Sequence, residues 1–463
     1  MLLDDMVSSV PRVLTVAGSD SGGGAGIQAD LKTIAALGGH GMSAITSLTA
    51  QNTREVTRIV DLDPEFIAEQ IRVCVSDIGV DAVKTGMLHT TEIIRVVGRE
   101  LRGLDVPKVV DPVMVAKSGA KLLQPAAVDE LKKSLFPIST VITPNASEAT
   151  VLSGIRITGE EDQRRVAKRL AEEYGIPSVI VKGGHLHGDR VIDILYYDGS
   201  YYRYEVPRIA TRATHGTGCV FASAIATELA KGSTIPEAAK KAQSFVYEAI
   251  MGGFLIGQGA GPVNPMSQVF KRSALLEALA NVREAVQRIE AAEHGGELAP
   301  ESGINIAEAP LGATSREEVV AIPGRISRVY NRLKVASHPW MGGSRHVADA
   351  VLTIMQYDHS RRAAMNIRYS EEILAAAREL GFSISSYDRA QEPPEIKYVE
   401  GMTIKWGIAR AYESAGKVTD IIFHRGDWGK EPMITITGRN SLEVADKFFL
   451  ILKKYLEKRR GNS

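Results

Sequence analysis

From residue 12 to residue 256, short β-branched runs alternate with helical patterns, and this alternation constrains the fold more than any other feature of the chain. Strand candidates fall at residues 13–16, 43–48, 82–84, 108–110, 140–142 and 178–182. Helix candidates lie between them at 25–37, 64–75, 91–101, 125–135 and 160–174. Parallel neighbours need a crossover connection, and a helix is the usual one. The pattern therefore predicts βαβ units on a mostly parallel sheet flanked by helices. Two further runs, 191–196 and 201–206, are separated by Tyr197-Asp-Gly-Ser200. An Asp-Gly step suits a tight hairpin, so this pair adds an antiparallel edge.

At 463 residues the chain is too long for one ordinary core, and two or three domains are expected. A long amphipathic helix at 268–293 opens a second segment, and His294-Gly-Gly-Glu-Leu-Ala-Pro-Glu-Ser-Gly303 interrupts it. New strand and helix signals follow at 335–336, 346–356, 370–380, 421–423 and 433–437, with a closing helix at 441–458. We place the boundary between Pro265 and Ser273, which gives domains 1–265 and 273–463, the second a smaller α/β domain. Hydrophobic content is 44% and charged content 24%, as in globular proteins. Lys+Arg and Asp+Glu are both 55, so the zero net charge argues against nucleic-acid or anionic-membrane partners. Cys74 and Cys219 are too few for a disulfide framework or a metal cluster, which points to a reducing, cytoplasmic setting. The start, Met-Leu-Leu-Asp-Asp-Met-Val, is acidic where a signal peptide is basic, and no uncharged apolar run reaches the length of a membrane span. The mature protein is expected to begin near Met1.

Two glycine-rich segments carry chemistry. Ala17-Gly-Ser-Asp-Ser-Gly-Gly-Gly-Ala-Gly-Ile-Gln-Ala-Asp30 follows a strand and opens a helix, so its backbone can approach a ligand closely. Its Gly24-Ala-Gly-Ile-Gln-Ala29 fits a loose dinucleotide fingerprint, but residues 43–52 supply no acid for a ribose hydroxyl. Far downstream, Thr211-Arg-Ala-Thr-His-Gly-Thr-Gly-Cys-Val220 runs into an apolar-periodic helix at 220–230. A glycine-rich turn feeding a helix N-terminus offers free N–H groups and the positive end of a dipole, an anion site suited to phosphoryl transfer. Thr214, Gly216, Thr217 and Gly218 belong to it, and Cys219 lies in the first helical turn. The helix field lowers a thiol pKa there while a nearby phosphate raises it. Burial as a small hydrophobe is the other reading of Cys219.

Asp111-Pro-Val-Met114 ends a strand, where open α/β sheets bind ligands. Asn145-Ala-Ser-Glu148 suits either a helix N-cap with a capping box or a water-mediated Mg²⁺ site. Lys182-Gly-Gly-His185 ends another strand with a lysine that can meet nucleotide phosphates. Neither Gly-Lys pair, at Lys417 or Lys430, is followed by Ser or Thr, so a Walker A loop is absent.

These segments, with Ala50-Gln-Asn-Thr53, Lys84-Thr-Gly-Met-Leu88 and Thr143-Pro-Asn-Ala-Ser-Glu148, stand in the order of a known family. Residues 12–265 resemble the hydroxymethylpyrimidine and phosphomethylpyrimidine kinases of thiamine biosynthesis. The resemblance implies a ribokinase-like fold, with ATP as phosphoryl donor and Mg²⁺ as its ion. It implies Gly18, Asp30, Gln51 and Met87 at the pyrimidine, with the Gln51 amide pairing to its ring nitrogen and amine. It implies Asp111, Asn145 and Glu148 around Mg-phosphate and Lys182 near the nucleotide. Thr214, Gly216, Thr217 and Gly218 then form the anion hole, with Cys219 in the general-base position. The family phosphorylates the hydroxymethyl group first and then the resulting phosphate.

The second segment is dense in polar clusters: Pro323-Gly-Arg325, Gly342-Gly-Ser-Arg-His346, Ala364-Met-Asn-Ile-Arg-Tyr369, Tyr387-Asp-Arg389, Asp420 and Arg425-Gly-Asp-Trp-Gly-Lys-Glu-Pro432. Such residues at strand or loop ends suit a phosphate or diphosphate. This segment resembles the thiamine-phosphate synthase domain fused to the kinase in archaea and some bacteria. The resemblance implies joining of hydroxymethylpyrimidine diphosphate to thiazole phosphate, with Arg325 and His346 at positions needed for activity. Residue chemistry adds Ser344, Arg345, Asn366, Arg368 and Lys430 as candidate phosphate ligands. The alternative is a pyridoxal-type kinase carrying a domain that only senses thiamine phosphate; Gln51 is the discriminating feature of the first part. The expected partners are small molecules, without nucleic acid or membrane, and the expected assembly is a homo-oligomer, a dimer.

Overall fold

The computed structural model describes residues 10–116, 119–397, 399 and 401–461, so the acidic start of the chain lies outside the described residues. The described chain forms two compact units that divide between Val269 and Phe270. The first runs β1 (Arg12–Asp20), α1 (Gly26–Ala36), β2 (His40–Gln51), β3 (Val56–Asp61), α2 (Pro64–Val73), β4 (Ala82–Thr85), α3 (Thr91–Arg102) and β5 (Lys108–Val110). It continues through α4 (Ala127–Ser134), β6 (Val141–Ile142), α5 (Ala146–Ser153), α6 (Glu160–Tyr174), β7 (Ser178–Val181), β8 (Arg190–Tyr197) and β9 (Ser200–Pro207). It closes with β10 (Ala213–His215), α7 (Thr217–Ala230), α8 (Ile235–Met251) and β11 (Gly261–Pro262).

Nine strands form one sheet in the order β3-β2-β1-β4-β5-β6-β7-β8-β9. The six from β2 to β7 pair in parallel, and β3, β8 and β9 are antiparallel at the two edges. Successive strand residues face opposite sides, and helices cover both. Leu14, Val83, Val110, Ile142 and Val179 pack toward α2–α6; Val13, Ala82, Val109, Val141 and Ile180 pack toward α1, α7 and α8. In the expected hairpin turn, Asp198 (φ 48°) and Gly199 (φ 72°) are both left-handed, as a two-residue connection of this kind requires. Strand β3 has no counterpart among the expected strands. It is an exposed edge held by backbone pairing to β2, so its sequence carries no buried alternation.

The second unit contains most of α9 (Ser267–Ala291), followed by β12 (Ile306–Glu308), β13 (Val320–Ala321), β14 (Ile326–Val329), β15 (Arg332–Val335), β16 (Trp340–Met341), α10 (Arg345–Tyr357) and β17 (Ala363–Arg368). Then come α11 (Glu371–Glu379), β18 (Ile384–Ser386), the short α12 (Pro394–Lys397), α13 (Met402–Ala415), β19 (Ile421–His424), β20 (Met433–Gly438) and α14 (Ser441–Gly461). Its seven-stranded sheet has the order β16-β13-β12-β17-β20-β19-β18 and is antiparallel except for β18–β19. Ala278, Val282, Ala285 and Ile289 of α9 join α11 and α14 on one face, while α10 and α13 cover the other. The signal at 335–336 proves to be the end of a hairpin, β14–β15, whose Tyr330 is left-handed (φ 56°). Helix α13 was not among the expected elements; its buried strip is only Gly407, Ile408 and Ala411.

Candidate active sites

In the first unit the motif residues gather at the carboxyl ends of the parallel strands, where loops lead into helix N-termini. Helix α7 starts from Gly216, whose φ of 87° is left-handed. A Cβ there would lie 1.9 Å from the Gly24 carbonyl oxygen, so only glycine fits. No side chain caps α7, which leaves its first amides available to an anion. At Gly218 a Cβ would lie 3.4 Å from both Asp111 Oδ2 and Lys182 Nζ, so the helix start runs close against a carboxylate and a cation.

Cys219 is half-buried and accepts a hydrogen bond from the Gly26 amide. Burial pushes its thiol up to about 11; Lys84 works to lower it, and Asp30 and Asp111 work to raise it. Desolvation thus outweighs Lys84 and the Gly26 amide, and the thiol is protonated at neutral pH.

Asp30 is a correction to its expected place at the pyrimidine. Its side chain is fully buried and accepts from Lys84 Nζ at 2.7 Å, Thr15 Oγ1 at 2.6 Å and Ser223 Oγ at 2.7 Å. Lys84 is equally buried; burial opposes its charge, but Asp30 outweighs this and holds the ammonium above its usual range. The pair is an internal charge beneath Cys219's helix rather than a ligand surface.

Lys182 Nζ donates to Asp111 Oδ1 at 3.1 Å, and Thr143 Oγ1 donates to the same oxygen at 3.0 Å. Glu148 is buried beside them. Desolvation, with Asp111 adding to it, pushes its carboxyl up to about 7 against the opposing pull of Lys182. Asn145 is a correction to the expected metal set. Its Oδ1 is spent on the Ser147 and Glu148 amides at 2.9 and 3.0 Å, while Glu148 Oε2 accepts from the Asn145 amide, completing a capping box. Among the described residues, no group of three or more His, Cys, Asp or Glu could hold a metal alone. Mg²⁺ takes one or two carboxylates plus phosphate and water, so Asp111 and Glu148 fit an ion that arrives with a nucleotide.

On the other flank, the Gly18 amide donates to the Met87 carbonyl at 3.2 Å, and a Cβ at Gly18 would meet Met87 Sδ at 3.1 Å. The expected pair is thus in contact. Gln51 Nε2 lies 3.3 Å from His215 Nε2, which lies 2.9 Å from Asp20 Oδ2. Asp20 also accepts from the Gly22, Gly24 and Ala25 amides. Burial works to raise its carboxyl, but His215 and these amides outweigh it and hold it low. Thr214 lies in β10, next to His215.

In the second unit, Arg325, Ser344, His346, Asn366 and Lys430 line one cavity of about 610 Å³. Arg325 is left-handed (φ 74°) and donates through Nη1 to the Ser302 carbonyl. Ser344 caps α10, and His346 lies in that helix's first turn. Two expectations are corrected: Arg345 and Arg368 do not line the cavity, and Arg368 turns to the Tyr455 hydroxyl on α14 at 3.3 Å. Asn366 lines it but spends its amide on the Asn305 N–H and the Gly303 carbonyl, holding the loop rather than a ligand.

Several site residues were not singled out from the sequence. Lys84 had a usable signal, since a lysine in an otherwise apolar strand must be paired. His215 stood inside the quoted motif beside its glycines. His424, which also lines the cavity, carried no such signal; Tyr387 and Arg389, which line it too, stand in a polar cluster of the sequence, Tyr387-Asp-Arg389, but were assigned no role there.

A family model described as phosphomethylpyrimidine kinase matches residues 20–264, and one described as thiamine-phosphate synthase ThiN matches residues 281–449. The chain is 50% identical over 254 residues to the hydroxymethylpyrimidine/phosphomethylpyrimidine kinase of Streptomyces coelicolor, covering 55% of this chain and 94% of that one. It is 50% identical over 266 residues to the thiamine biosynthesis bifunctional protein ThiED of Geobacter sulfurreducens, covering 57% of this chain and 54% of that one. Among solved structures, an ADP complex of Bacillus subtilis pyridoxal kinase superposes with a TM-score of 0.53 at 37% identity, covering 56% of this chain and 99% of that one. Pyridoxal kinase from Staphylococcus aureus in complex with AMP-PCP and pyridoxal gives 0.52 at 35% identity, covering 56% and 94%. The first unit has the ribokinase-like fold of these kinases.

Proposed function

The chain belongs to the phosphomethylpyrimidine kinase family, and from that premise we propose a bifunctional enzyme of thiamine biosynthesis. The first unit phosphorylates 4-amino-5-hydroxymethyl-2-methylpyrimidine and then its monophosphate. The second condenses the resulting diphosphate with thiazole phosphate to thiamine phosphate and pyrophosphate. One observation carries this reading: motif residues scattered along each segment converge, within their own unit, on one cluster of charge-stabilising groups.

In the kinase, positioning and charge stabilisation are most of the task. The amides opening α7 hold negative charge on the transferring group, and Lys182 neutralises phosphate oxygens. MgATP, when bound, supplies the phosphoryl group, and Asp111 and Glu148 hold its ion. The small thiolate fraction of Cys219 takes the proton of the hydroxymethyl group, becoming the thiol, as the hydroxymethyl oxygen bonds to phosphorus; the raised pKa makes that fraction scarce but strongly basic. The second acceptor is already an anion and needs no such base. Gln51, fixed near His215, reads the pyrimidine edge. In the synthase, the thiazole nitrogen bonds to the pyrimidine methylene carbon. The carbon–oxygen bond to diphosphate breaks, and diphosphate leaves with the electron pair. Arg325, His346 and Lys430 stabilise that growing charge. Both cysteines are free thiols, in keeping with a reducing, cytoplasmic setting.

The test is mass detection of thiamine phosphate from the purified chain with ATP, Mg²⁺, hydroxymethylpyrimidine and thiazole phosphate. Bound but never-formed thiamine phosphate would replace the synthase by a sensor. The likeness to pyridoxal kinases favours one second reading, and pyridoxal offered as the acceptor tests it. Preference for pyridoxal over hydroxymethylpyrimidine would reassign the first unit.

A further inference from the structure

Arg389 is a guanidinium that the condensation chemistry above does not use. It opens a short turn after β18 and lines the second unit's cavity, with only 10% of its side chain exposed. Its Nε is buried without a hydrogen-bond partner in the structure. Its acidic neighbour, Glu392, stands 3.4 Å from Nη2, and that fully buried carboxylate also accepts from the Thr403 hydroxyl. A buried donor without an acceptor is costly, so a cavity-lining one points to a ligand that supplies the acceptor.

The wall beside it is built and rigid. His424 Nδ1 accepts from the Gly426 amide at 3.1 Å, so the neutral ring carries its proton on Nε2. Burial first, and then Arg389, push His424 down to about 4, which keeps it neutral. Its ring packs on Tyr387 at 5.1 Å, and Tyr387 meets Trp406 edge-on at 6.1 Å. A Cβ at Gly407 would lie 2.3 Å from the Tyr387 ring, so α13 presses directly on it.

Of the groups assigned to the diphosphate, Arg325 is separate from this corner, while Lys430 lies in the β19–β20 loop that His424 leads into. Arg325 follows β13 and His424 ends β19, and β12, β17 and β20 lie between them in the sheet. Those four strand spacings amount to roughly 19 Å at about 4.8 Å each. Ile404, Ile408 and Ile422 line the cavity with apolar surface. Both condensing substrates carry phosphate. The diphosphate leaves, whereas the thiazole's phosphate stays in the product and needs only to be held. A fixed planar fork serves that task, because its paired donors match phosphate oxygens.

We propose that Arg389, with His424 Nε2 as a second donor and Tyr387 as the wall, is the binding site for the phosphate monoester of the thiazole substrate. This inference rests on the synthase reading given above, and it makes Arg389 the residue that separates the phosphorylated thiazole from its alcohol.

The test uses the full chain, with Arg389→Met, Arg389→Lys and the double variant Arg389→Met/Glu392→Gln, which leaves no orphan acid should the single change fail to fold. Calorimetry compares binding of thiazole phosphate with that of the unphosphorylated thiazole alcohol, and steady-state assays give KM for each substrate. Wild type is expected to bind the phosphate ester the tighter of the two. The methionine variants should lose that preference and raise KM for thiazole phosphate ~10- to 100-fold, while KM for the pyrimidine diphosphate stays within about twofold. Lysine should restore part of the effect. Equal binding of ester and alcohol by wild type, or an equal rise in both KM values, would overturn the proposal. A chain that makes no thiamine phosphate fails the synthase reading instead, because the calorimetric comparison requires no turnover.

Discussion

Cys219 gives the sharpest test of the kinase site, because its thiol is pushed up to about 11 despite its place at a helix start. At pH 7.5 such a thiol is ionised to ~3 × 10⁻⁴, against ~10% for an ordinary cysteine near pKa 8.5. The greater basicity returns about tenfold in nucleophilicity, for a Brønsted slope of about 0.4–0.5. Alkylation of Cys219 by iodoacetamide should therefore run ~30-fold slower than that of a free-thiol peptide. It should also climb about tenfold per pH unit from 7 to 9 without a plateau. Mass spectrometry of the two cysteine peptides follows Cys219 and Cys74 separately. Steric shielding of the half-buried sulfur lowers the rate at every pH alike, so the slope decides the matter. A plateau in that range would mean a thiol that titrates no higher than an ordinary cysteine and would refute the dominance of desolvation. Catalysis is measured in the same series. Cys219→Ala should lose the first phosphorylation by ~10²- to 10⁴-fold, the usual worth of a general base, and the second far less. Equal activity on hydroxymethylpyrimidine would return Cys219 to a packing role.

Glu148, pushed up to about 7 from its ordinary 4.5, binds its proton more tightly folded than unfolded, so it costs stability as pH rises from about 4.5 to about 7. Glu148→Gln, which keeps the cap acceptor, should gain melting temperature relative to wild type at pH 8 but not at pH 4; an unchanged difference across that range would refute burial of the charge. Arg325→Ala and His346→Ala should each lower thiamine phosphate formation by ~10²- to 10³-fold while kinase activity in the same preparation persists. Wild-type synthesis by either variant would remove that residue from the site. Fragments 1–265 and 273–463 should fold separately, because the buried apolar positions of α9, Ala274, Ala278, Val282, Ala285, Val286 and Ile289, all follow residue 273. Loss of kinase activity in fragment 1–265 alone would show that α9 supports the first core.

Much of this was legible in one dimension because it rests on local rules. A parallel strand buried on both faces must read as a short apolar run, so β1, β4, β5, β6 and β7 announced themselves. The Asp198-Gly199 turn and the glycines of the α7 loop follow from backbone sterics that act over a few residues. The capping box of Asn145 and Glu148 was visible from spacing for the same reason. What tertiary structure decided was which polar groups lose water and what they meet when they do. Asp30 stands in the glycine-rich motif, yet Lys84, 54 residues away, draws it into the core. Asp20 and His215 meet across 195 residues. Cys219 keeps its proton because desolvation depends on everything packed around it, whereas the helix field that the sequence announced is a local term. Arg389 and His424 come from separate elements, and only the fold of the second unit turns both toward one cavity and leaves Nε without an acceptor.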